Sequence, residues 1–171
     1  MQLVIADEHR GLANAVRRHL PEAQRQRCTV HLERNVLTKA PQRLRGRVAG
    51  QLRLVFQAPS LADAKKRLQT FAGGLGQQVP EALRCLEDGF AAATQYFAFP
   101  REHWIRIRST NGLERLHGEI KRRIRSIGAF PDRDSALRLI TAVALETTRI
   151  WGDRRYLDMS SLKTKPERAV A

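Results

Sequence analysis

Two acidic side chains stand where a carboxylate could bind a divalent cation, and Asp7 is the first. It directly follows the short apolar run 3–6, whose β-branched character and polar boundary are typical of a buried strand. In α/β sheets, ligands and metals bind at the carboxyl ends of the strands, which makes Asp7 a candidate metal ligand. The structural alternative is that Asp7 caps the helix that follows, since Asp is a favoured capping residue.

Glu114 is the second candidate, at the start of a strongly helical segment that runs from Asn111 to Arg125. The side chains that share its helical face are His117, Lys121 and Arg125. One polar face therefore joins an acid to several bases, which suits a metal ligand beside cations that hold a phosphate backbone. The alternative is a capping box, in which Asn111 caps the helix and Glu114 reaches back to it, with the bases as a solvated face.

The elements that would position these side chains follow from the apolar spacing. After the first strand, Leu12, Val16 and Leu20 recur at helical spacing until Pro21. A second strand is predicted at 27–30, followed by a helix from about 31 to 39. A strand-helix-strand-helix opening predicts an α/β sheet. A fully apolar first strand needs neighbours on both sides, and only one other strand is evident, so the sheet is expected to be incomplete.

The rest of the chain reads as helical. Between 41 and 100 we predict three helices, of which the second starts at a capping box of Ser60 and Asp63 and ends at Gly73. The third opens at Pro80 and extends to Phe97. The segment 104–107 is predicted to be extended, Asp132 to begin a last long helix, and the tail from about 160 to be disordered.

The charge balance indicates an acidic partner. The 171 residues include 31 Lys and Arg against 17 acidic residues, a net charge of +14, and nucleic acid is the commonest partner of so basic a surface. The bases concentrate at 25–53 and 101–125, where the alternative to DNA contact is a solvated face. No apolar run approaches the length of a membrane helix, no signal peptide is recognisable, and the two cysteines fit a reduced, cytoplasmic protein.

Two blocks of this sequence resemble the middle of a mutator-type DDE transposase of bacterial insertion sequences. The first block comprises 7–12, Pro21 and 26–35, and the second comprises 110–123 followed by 130–131 and 135–139. Both occur in the family's order with a helical stretch between them, and the resemblance extends from about Leu3 to Trp151. It implies a helix-rich α/β protein: a partial ribonuclease H-like fold that lacks its first strands and carries an all-helical insertion.

The resemblance also implies a domain organisation and a site. The expected segments are a first core part at 1–40, a helical insertion at 41–100, a second core part at 101–158 and a disordered basic tail at 159–171. Asp7 matches the second Asp of the family's Asp-Asp-Glu triad and Glu114 matches its Glu, so both would act in catalysis as ligands of Mg²⁺ (or Mn²⁺). The bases expected to contact DNA are Arg108, Arg115, Lys121, Arg122 and Arg125.

Cys28 and His31 match the family's Cys-x-x-His signature. Alone they form only half of a zinc site, and the alternatives are structural packing or ordering of the nearby site. Trp104 could stack on a base or a sugar, with core packing as the alternative.

The function implied is metal-dependent DNA cleavage and strand transfer, with transposon ends and target DNA as partners. The first Asp of the triad has no counterpart in this sequence, so we expect little or no activity from the chain alone. The alternative is a non-catalytic, DNA-binding or regulatory remnant of a transposase. A homo-oligomer or a full-length transposase is a possible protein partner, and no membrane association is expected.

Overall fold

The computed structural model describes residues 3–152 together with 157 and 160. Within these residues one sheet is present, formed by β1 (Leu3–Ala6) and β2 (Gln24–Arg27), which pair in parallel with Leu3 opposite Gln24. Helix α1 (Arg10–His19) connects the two strands. The strand-helix-strand opening and the helix-rich α/β class are therefore confirmed.

Helices make up most of the remaining chain. They are α2 (Thr29–Thr38), α3 (Arg45–Phe56), α4 (Leu61–Gly73), α5 (Pro80–Ala93), the single-turn α6 (Trp104–Ile107), α7 (Asn111–Ile127) and α8 (Arg133–Gly152). Short 3-10 helices lie at Gln42–Leu44, Leu75–Gln78, Gln95–Ala98 and Arg101–His103. None of the helices in the described part of the chain is long and apolar enough to cross a membrane.

The chain packs as two units, Met1–Thr110 and Asn111–Ala171. The first contains the sheet and α1 to α6, and the second contains α7 and α8. The finer division at 1–40, 41–100 and 101–158 stays a prediction. Apart from Ser160, the predicted disordered tail at 159–171 lies outside the described residues.

The core of the first unit lies among α2, α3, α4 and α5. The spacing of Leu44, Val48, Leu52 and Val55 predicts one apolar stripe, and it is buried there, with Val48, Leu52 and Val55 at most 1% exposed. Leu32 of α2 and Leu86 of α5 are fully buried in the same cluster. Burying an aliphatic side chain of this size contributes roughly 1.5–3 kcal/mol, so this core holds α2, α3, α4 and α5 together.

Gly89 lets α5 pass unusually close to α2. A Cβ atom at this position would lie 2.7 Å from Leu32 Cδ1 and 2.8 Å from the Arg27 Nη1 atom. Both distances are shorter than packed atoms allow. An alanine at this position would force the side chains of Leu32 and Arg27 to shift where α5 crosses the end of β2 and the start of α2.

Gln26 joins the sheet to the end of α5 through a buried set of hydrogen bonds. Its Nε2 donates to the Ala93 carbonyl at 2.8 Å, and its Oε1 accepts from the Tyr96 amide at 2.9 Å. The side chain is fully buried, and buried polar groups are stable when they are hydrogen-bonded in this way. A polar strand residue thus fixes where the helical segment meets the sheet.

Several local predictions are confirmed. Ser60 Oγ accepts from the Asp63 amide at 3.1 Å, so the cap of α4 is as predicted. Helix α4 ends at Gly73, and Pro80 is the first residue of α5. Asp132 precedes α8, and its Oδ1 accepts from the Ser135 amide at 2.6 Å, as a capping residue does. These signals are local in sequence, which is why they could be identified without the fold.

The second strand was predicted wrongly at 27–30. It lies at Gln24–Arg27, and Thr29 already begins α2. The reason is that pairing with β1 uses backbone atoms, so the polar sequence of β2 could form a strand despite its lack of apolar residues. The Cys28 amide completes the pairing with the Ala6 carbonyl at 2.8 Å, and there the chain turns into the helix.

Two further predictions are wrong because tertiary contacts override the local pattern. The segment Trp104–Ile107 is helical, not extended. Trp104 Nε1 donates to the Phe99 carbonyl at 2.7 Å, and its ring packs edge-on against Tyr96 and Phe97. Helix α5 ends at Ala93 and does not reach Phe97, which lies in a 3-10 helix.

Candidate functional site

The carboxylate of Asp7 is exposed immediately beyond β1. Its Oδ1 accepts a hydrogen bond from the Glu8 amide at 2.7 Å. The N-cap of α1 is His9, whose Nδ1 accepts from the Leu12 amide at 3.3 Å. The alternative in which Asp7 caps α1 is therefore wrong. Asp7 stands at the carboxyl end of a parallel strand, where α/β sheets bind ligands, with its carboxylate open to solvent.

Cys28 and His31 both belong to the start of α2. Cys28 is the N-cap residue and is fully buried, while His31 is half-buried in the first turn. The Cys28 Sγ accepts hydrogen bonds from the amide and the hydroxyl of Thr110, each at 3.4 Å. Beside them, the Thr29 amide donates to the Arg108 carbonyl at 2.9 Å. Cys28 and the adjacent Thr29 therefore hold Arg108 and Thr110, at the end of the first unit, against the start of α2.

Arg108, a predicted DNA contact, is half-buried in the first unit. Its Nη1 donates to the Phe56 carbonyl at 3.3 Å, and the Tyr96 hydroxyl donates to the same oxygen at 2.8 Å. Arg108 therefore has a structural role, because it donates a hydrogen bond to the Phe56 carbonyl inside the first unit. Its contact with DNA stays a prediction.

Burial raises the pKa of the nearby Glu33 carboxyl above its ordinary value, and the positive charges of Arg108 and Arg53 act in the opposite direction. Because desolvation outweighs these charges, the protonated form of Glu33 is favoured in the fold relative to an exposed glutamate.

Trp104 lies within an aromatic group of the first unit. Its ring centroid is 4.7 Å from that of Phe97 and 5.8 Å from that of Tyr96. Such edge-on contacts are typical of core packing. Trp104 therefore packs against other aromatic side chains of the first unit, and stacking on a base or a sugar stays a prediction.

The second unit carries the other candidate carboxylate and four predicted DNA contacts on α7. Glu114 is exposed in the first turn of the helix. Arg115, Lys121, Arg122 and Arg125 are likewise exposed. A shallow concavity of about 480 Å³ is lined by Gly118, Lys121, Arg122, Arg125 and Ser126. Three cations around a glycine, which leaves room for close approach, form a surface suited to an anionic backbone.

Ion pairs modify this basic surface. Arg122 donates from Nε and Nη2 to Glu119 Oε2, at 3.1 and 2.7 Å. That hydrogen bond lowers the pKa of Glu119 and raises that of Arg122. Arg123 lies 3.8 Å from Glu146 and links α7 to α8. Exposed pairs of this kind contribute little stability, so DNA phosphates could compete for Arg122.

The candidate residues divide between the two units. Asp7, Cys28, His31 and Arg108 belong to the first unit, and Glu114 belongs to the second with the bases of α7. Sequence reasoning missed Thr110 as the partner of Cys28, and Glu8, which binds Arg25 from the residue next to Asp7. No local signal identifies either pair, because the partners are 82 and 17 residues apart.

Comparison with known proteins places these residues in a family. The family model described as "Transposase, Mutator family" matches residues 1–153. The chain is 34% identical to the transposase for insertion sequence element ISRM5 of Rhizobium meliloti (strain 1021), over 99% of this chain and 43% of that protein. It is 38% identical to the transposase for IS406 of Burkholderia multivorans, over 87% of this chain and 39% of that protein.

A third relative shows the same pattern. The transposase for IS256 in transposon Tn4001 of Staphylococcus aureus is 33% identical over 161 residues, which cover 92% of this chain and 41% of that protein. The chain therefore spans about two fifths of the length of the curated relatives it matches.

Proposed function

The chain belongs to the Mutator family of transposases, and on this premise we propose that it contributes Asp7 and Glu114 to metal-dependent cleavage and strand transfer of DNA. The observation that carries the proposal is the exposed carboxylate of Asp7 at the carboxyl end of β1. Glu114, matched to the family's Glu, is likewise exposed. Both acids are thus open to solvent, as metal ligands that meet a DNA substrate must be.

The proposed fold is part of a ribonuclease H-like core. Support comes from the parallel pair β1 and β2 joined by α1, a unit built as α/β sheets are. The helices α3, α4 and α5 pack around a core that they share with Leu32 and Val36 of α2, and in the sequence they lie between the two proposed core parts.

Mg²⁺ or Mn²⁺ is the proposed cofactor, and the donor chemistry fits it. Asp7 and Glu114 offer exposed carboxylate oxygens, the ligands that Mg²⁺ takes in proteins. When bound, such metals activate a water or 3′-hydroxyl for attack on a phosphodiester and stabilise the leaving oxygen. Lys121, Arg122 and Arg125 would neutralise backbone phosphates and hold the strand in place.

The family resemblance implies three metal-binding carboxylates, and this chain matches two of them, Asp7 and Glu114. Two ligands leave the metals under-coordinated, so we propose that the 171-residue chain by itself has little or no cleavage activity. The test is incubation of the purified chain with transposon-end DNA and Mg²⁺ or Mn²⁺. We expect intact DNA. Cleavage that disappears in Glu114→Gln would overturn the proposed inactivity.

Metal binding has a test that does not depend on activity. Fe²⁺ bound in place of Mg²⁺ reduces added hydrogen peroxide to hydroxyl radicals, which cut the polypeptide near the metal ligands, and ascorbate returns the resulting Fe³⁺ to Fe²⁺. We expect cuts close to residues 7 and 114, suppressed by excess Mg²⁺ and lost at the substituted position in Asp7→Asn and Glu114→Gln. Glu87→Gln, an exposed acid on α5, is the control. If Asp7→Asn and Glu114→Gln leave the cuts as unchanged as Glu87→Gln does, the metal site is contradicted.

The second candidate function is non-catalytic DNA binding or regulation, and the basic concavity of α7 favours it. Affinity should then persist in Asp7→Asn and Glu114→Gln, decrease in Lys121→Ala/Arg125→Ala, and fall steeply with salt. Failure of the wild-type chain to bind DNA at low salt would rule out both candidate functions.

A second copy or a full-length transposase is the proposed protein partner. Large apolar side chains of the second unit remain exposed, among them Leu113, Leu137 and Leu145 at 48 to 64%. Two helices bury little apolar surface between them, which leaves these faces available to a partner. Sedimentation of the chain should show self-association that weakens in Leu145→Glu. A monomer at all concentrations would exclude the homo-oligomer.

A further inference from the structure

A polar cleft of about 550 Å³ lies in the first unit, between α1 and the turn that leads into β2. Its polar lining consists of Glu8, Arg10, Asn14, Arg17 and Arg25. Arg10 and Arg17 lie outside both basic groups considered for DNA contact in the sequence, and Arg25 is the first residue of the group 25–53. The cleft therefore needs an explanation separate from the basic surface of α7.

The charges in this cleft favour an anion. Three guanidinium groups face one carboxylate, and Glu8 is already committed to Arg25: the Arg25 Nη2 donates to both Glu8 oxygens, at 2.9 and 3.0 Å. Glu8 also lies 3.5 Å from the Nη1 of Arg27, outside the cleft lining. Arg10 and Arg17 have no ion pair with any other residue that the structure describes. A net positive cleft with two uncompensated cations attracts a negatively charged group.

The spacing of Arg10 and Arg17 matches a nucleic-acid strand. They lie seven residues, or about two turns, apart on α1, so they share a face at a separation of roughly 10 Å. Consecutive phosphates of one DNA strand rise about 3.4 Å each along the helix axis. With α1 aligned along the DNA axis, Arg10 and Arg17 would span about three nucleotides, and the amide of Asn14 lies between them as a further donor.

The cleft begins one residue beyond the candidate metal ligand. Glu8 follows Asp7, and its amide donates to Asp7 Oδ1 at 2.7 Å. We propose that the cleft binds the backbone phosphates of the DNA strand next to the phosphodiester at Asp7, with Arg10 and Arg17 as contacts. This inference rests on the proposed function and adds a DNA-binding surface to it.

The test is the salt dependence of binding between the 171-residue chain and a labelled DNA duplex. Arg10→Ala and Arg17→Ala should each reduce the slope of log affinity against log salt by about 0.9. Between 50 and 200 mM salt, each variant should thus lose roughly 3.5-fold less affinity than the wild type. Arg18→Ala is the matched control, because Arg18 is exposed on α1 but does not line the cleft. It should leave the slope unchanged.

Further variants separate this inference from the proposed function. Glu8→Gln should raise DNA affinity, because it removes the one negative charge of the cleft. If Arg10→Ala and Arg17→Ala behave as Arg18→Ala does while Lys121→Ala/Arg125→Ala weakens binding, the cleft proposal is overturned and DNA binding through α7 stands. If the wild type binds no DNA at low salt, the proposed function itself fails.

Inorganic phosphate distinguishes a strand-binding cleft from a pocket for free anions. At constant ionic strength, millimolar phosphate should leave DNA binding unchanged. Phosphate binding by the wild type but not by Arg10→Ala/Arg17→Ala, with DNA affinity unchanged both by phosphate and by the two substitutions, would overturn the proposal in favour of a free-anion site. Circular dichroism of each variant should match the wild type, since the substituted side chains are exposed.

Discussion

Cys28 and Thr110 are joined by two hydrogen bonds although 82 residues separate them: the amide and the hydroxyl of Thr110 both donate to the Cys28 sulfur, each at 3.4 Å. The Thr29 amide reinforces this link through the Arg108 carbonyl. The Cys-x-x-His signature therefore has a structural use within the first unit, since its cysteine fixes the segment that directly precedes α7 in the sequence.

We expect Cys28→Ala to destabilise the first unit by about 2 kcal/mol, because it removes a buried side chain and the acceptor of two donors. Cys28→Ser keeps an acceptor and should cost less. Urea unfolding followed by circular dichroism measures the free energy of unfolding. Cys85→Ala is the control: Cys85 is half-buried on α5, and an equal loss there would mean that the bonds to Thr110 contribute nothing.

Gln26 should be among the costliest positions in the sheet. Gln26→Ala leaves the Ala93 carbonyl and the Tyr96 amide without their side-chain partner in a buried place, so we expect a loss of about 2–4 kcal/mol. Hydrogen exchange offers a local readout, in which the Tyr96 amide should exchange faster in the variant. Gln24→Ala, at an exposed position of the same strand, should change neither quantity.

Gln26 also shows where sequence reasoning stops. Apolar spacing correctly predicted β1, α1 and the stripe of α3, and the stripe of α3 is buried, because a buried face imposes its period on the sequence. Strand β2 has the sequence Gln-Arg-Gln-Arg and carries no such period. Its position depends on backbone pairing with β1 and on partners at Ala93 and Tyr96, which are known only once the chain is folded.

The candidate site was predictable to a similar depth. Asp7 could be identified from its place at the end of a strand and Glu114 from its place at the start of a helix, and the family resemblance supported both. The capping role that Asp63 shares with Ser60 likewise followed from local spacing. The partners of the site were not predictable in this way. The bond between Glu8 and Arg25 arises because β1 and β2 lie side by side, and the sequence alone does not show which cation meets that carboxylate.

Glu33 makes stability depend on pH. Burial raises its pKa in the folded chain above the value of an unfolded glutamate, against the opposing charges of Arg108 and Arg53. For an acid with a raised folded-state pKa, the contribution to stability is fully present below the unfolded pKa and is lost as pH rises through the folded pKa. Glu33→Gln should therefore gain stability relative to the wild type when the pH changes from 4 to 7.

The measurement is the free energy of unfolding in urea at both pH values. Glu87→Gln, which removes an exposed carboxylate from α5, reports the general effect of deleting a negative charge from a basic protein. If Glu33→Gln gains no more free energy of unfolding between pH 4 and 7 than Glu87→Gln does, the buried environment of Glu33 does not raise its pKa.

Glu119 should act as an intramolecular competitor of DNA for Arg122. The two side chains share hydrogen bonds of 3.1 and 2.7 Å on an exposed face, and phosphate contact requires Arg122 to leave them. Glu119→Gln removes the charge that holds Arg122, so we expect tighter DNA binding and a salt slope steeper by up to about 0.9, the contribution of one added phosphate contact. Glu146→Gln is the control, because it removes an acid of the same unit that pairs with Arg123 instead. If Glu146→Gln raised the affinity and the salt slope as much as Glu119→Gln does, the gain would reflect net charge and not the release of Arg122.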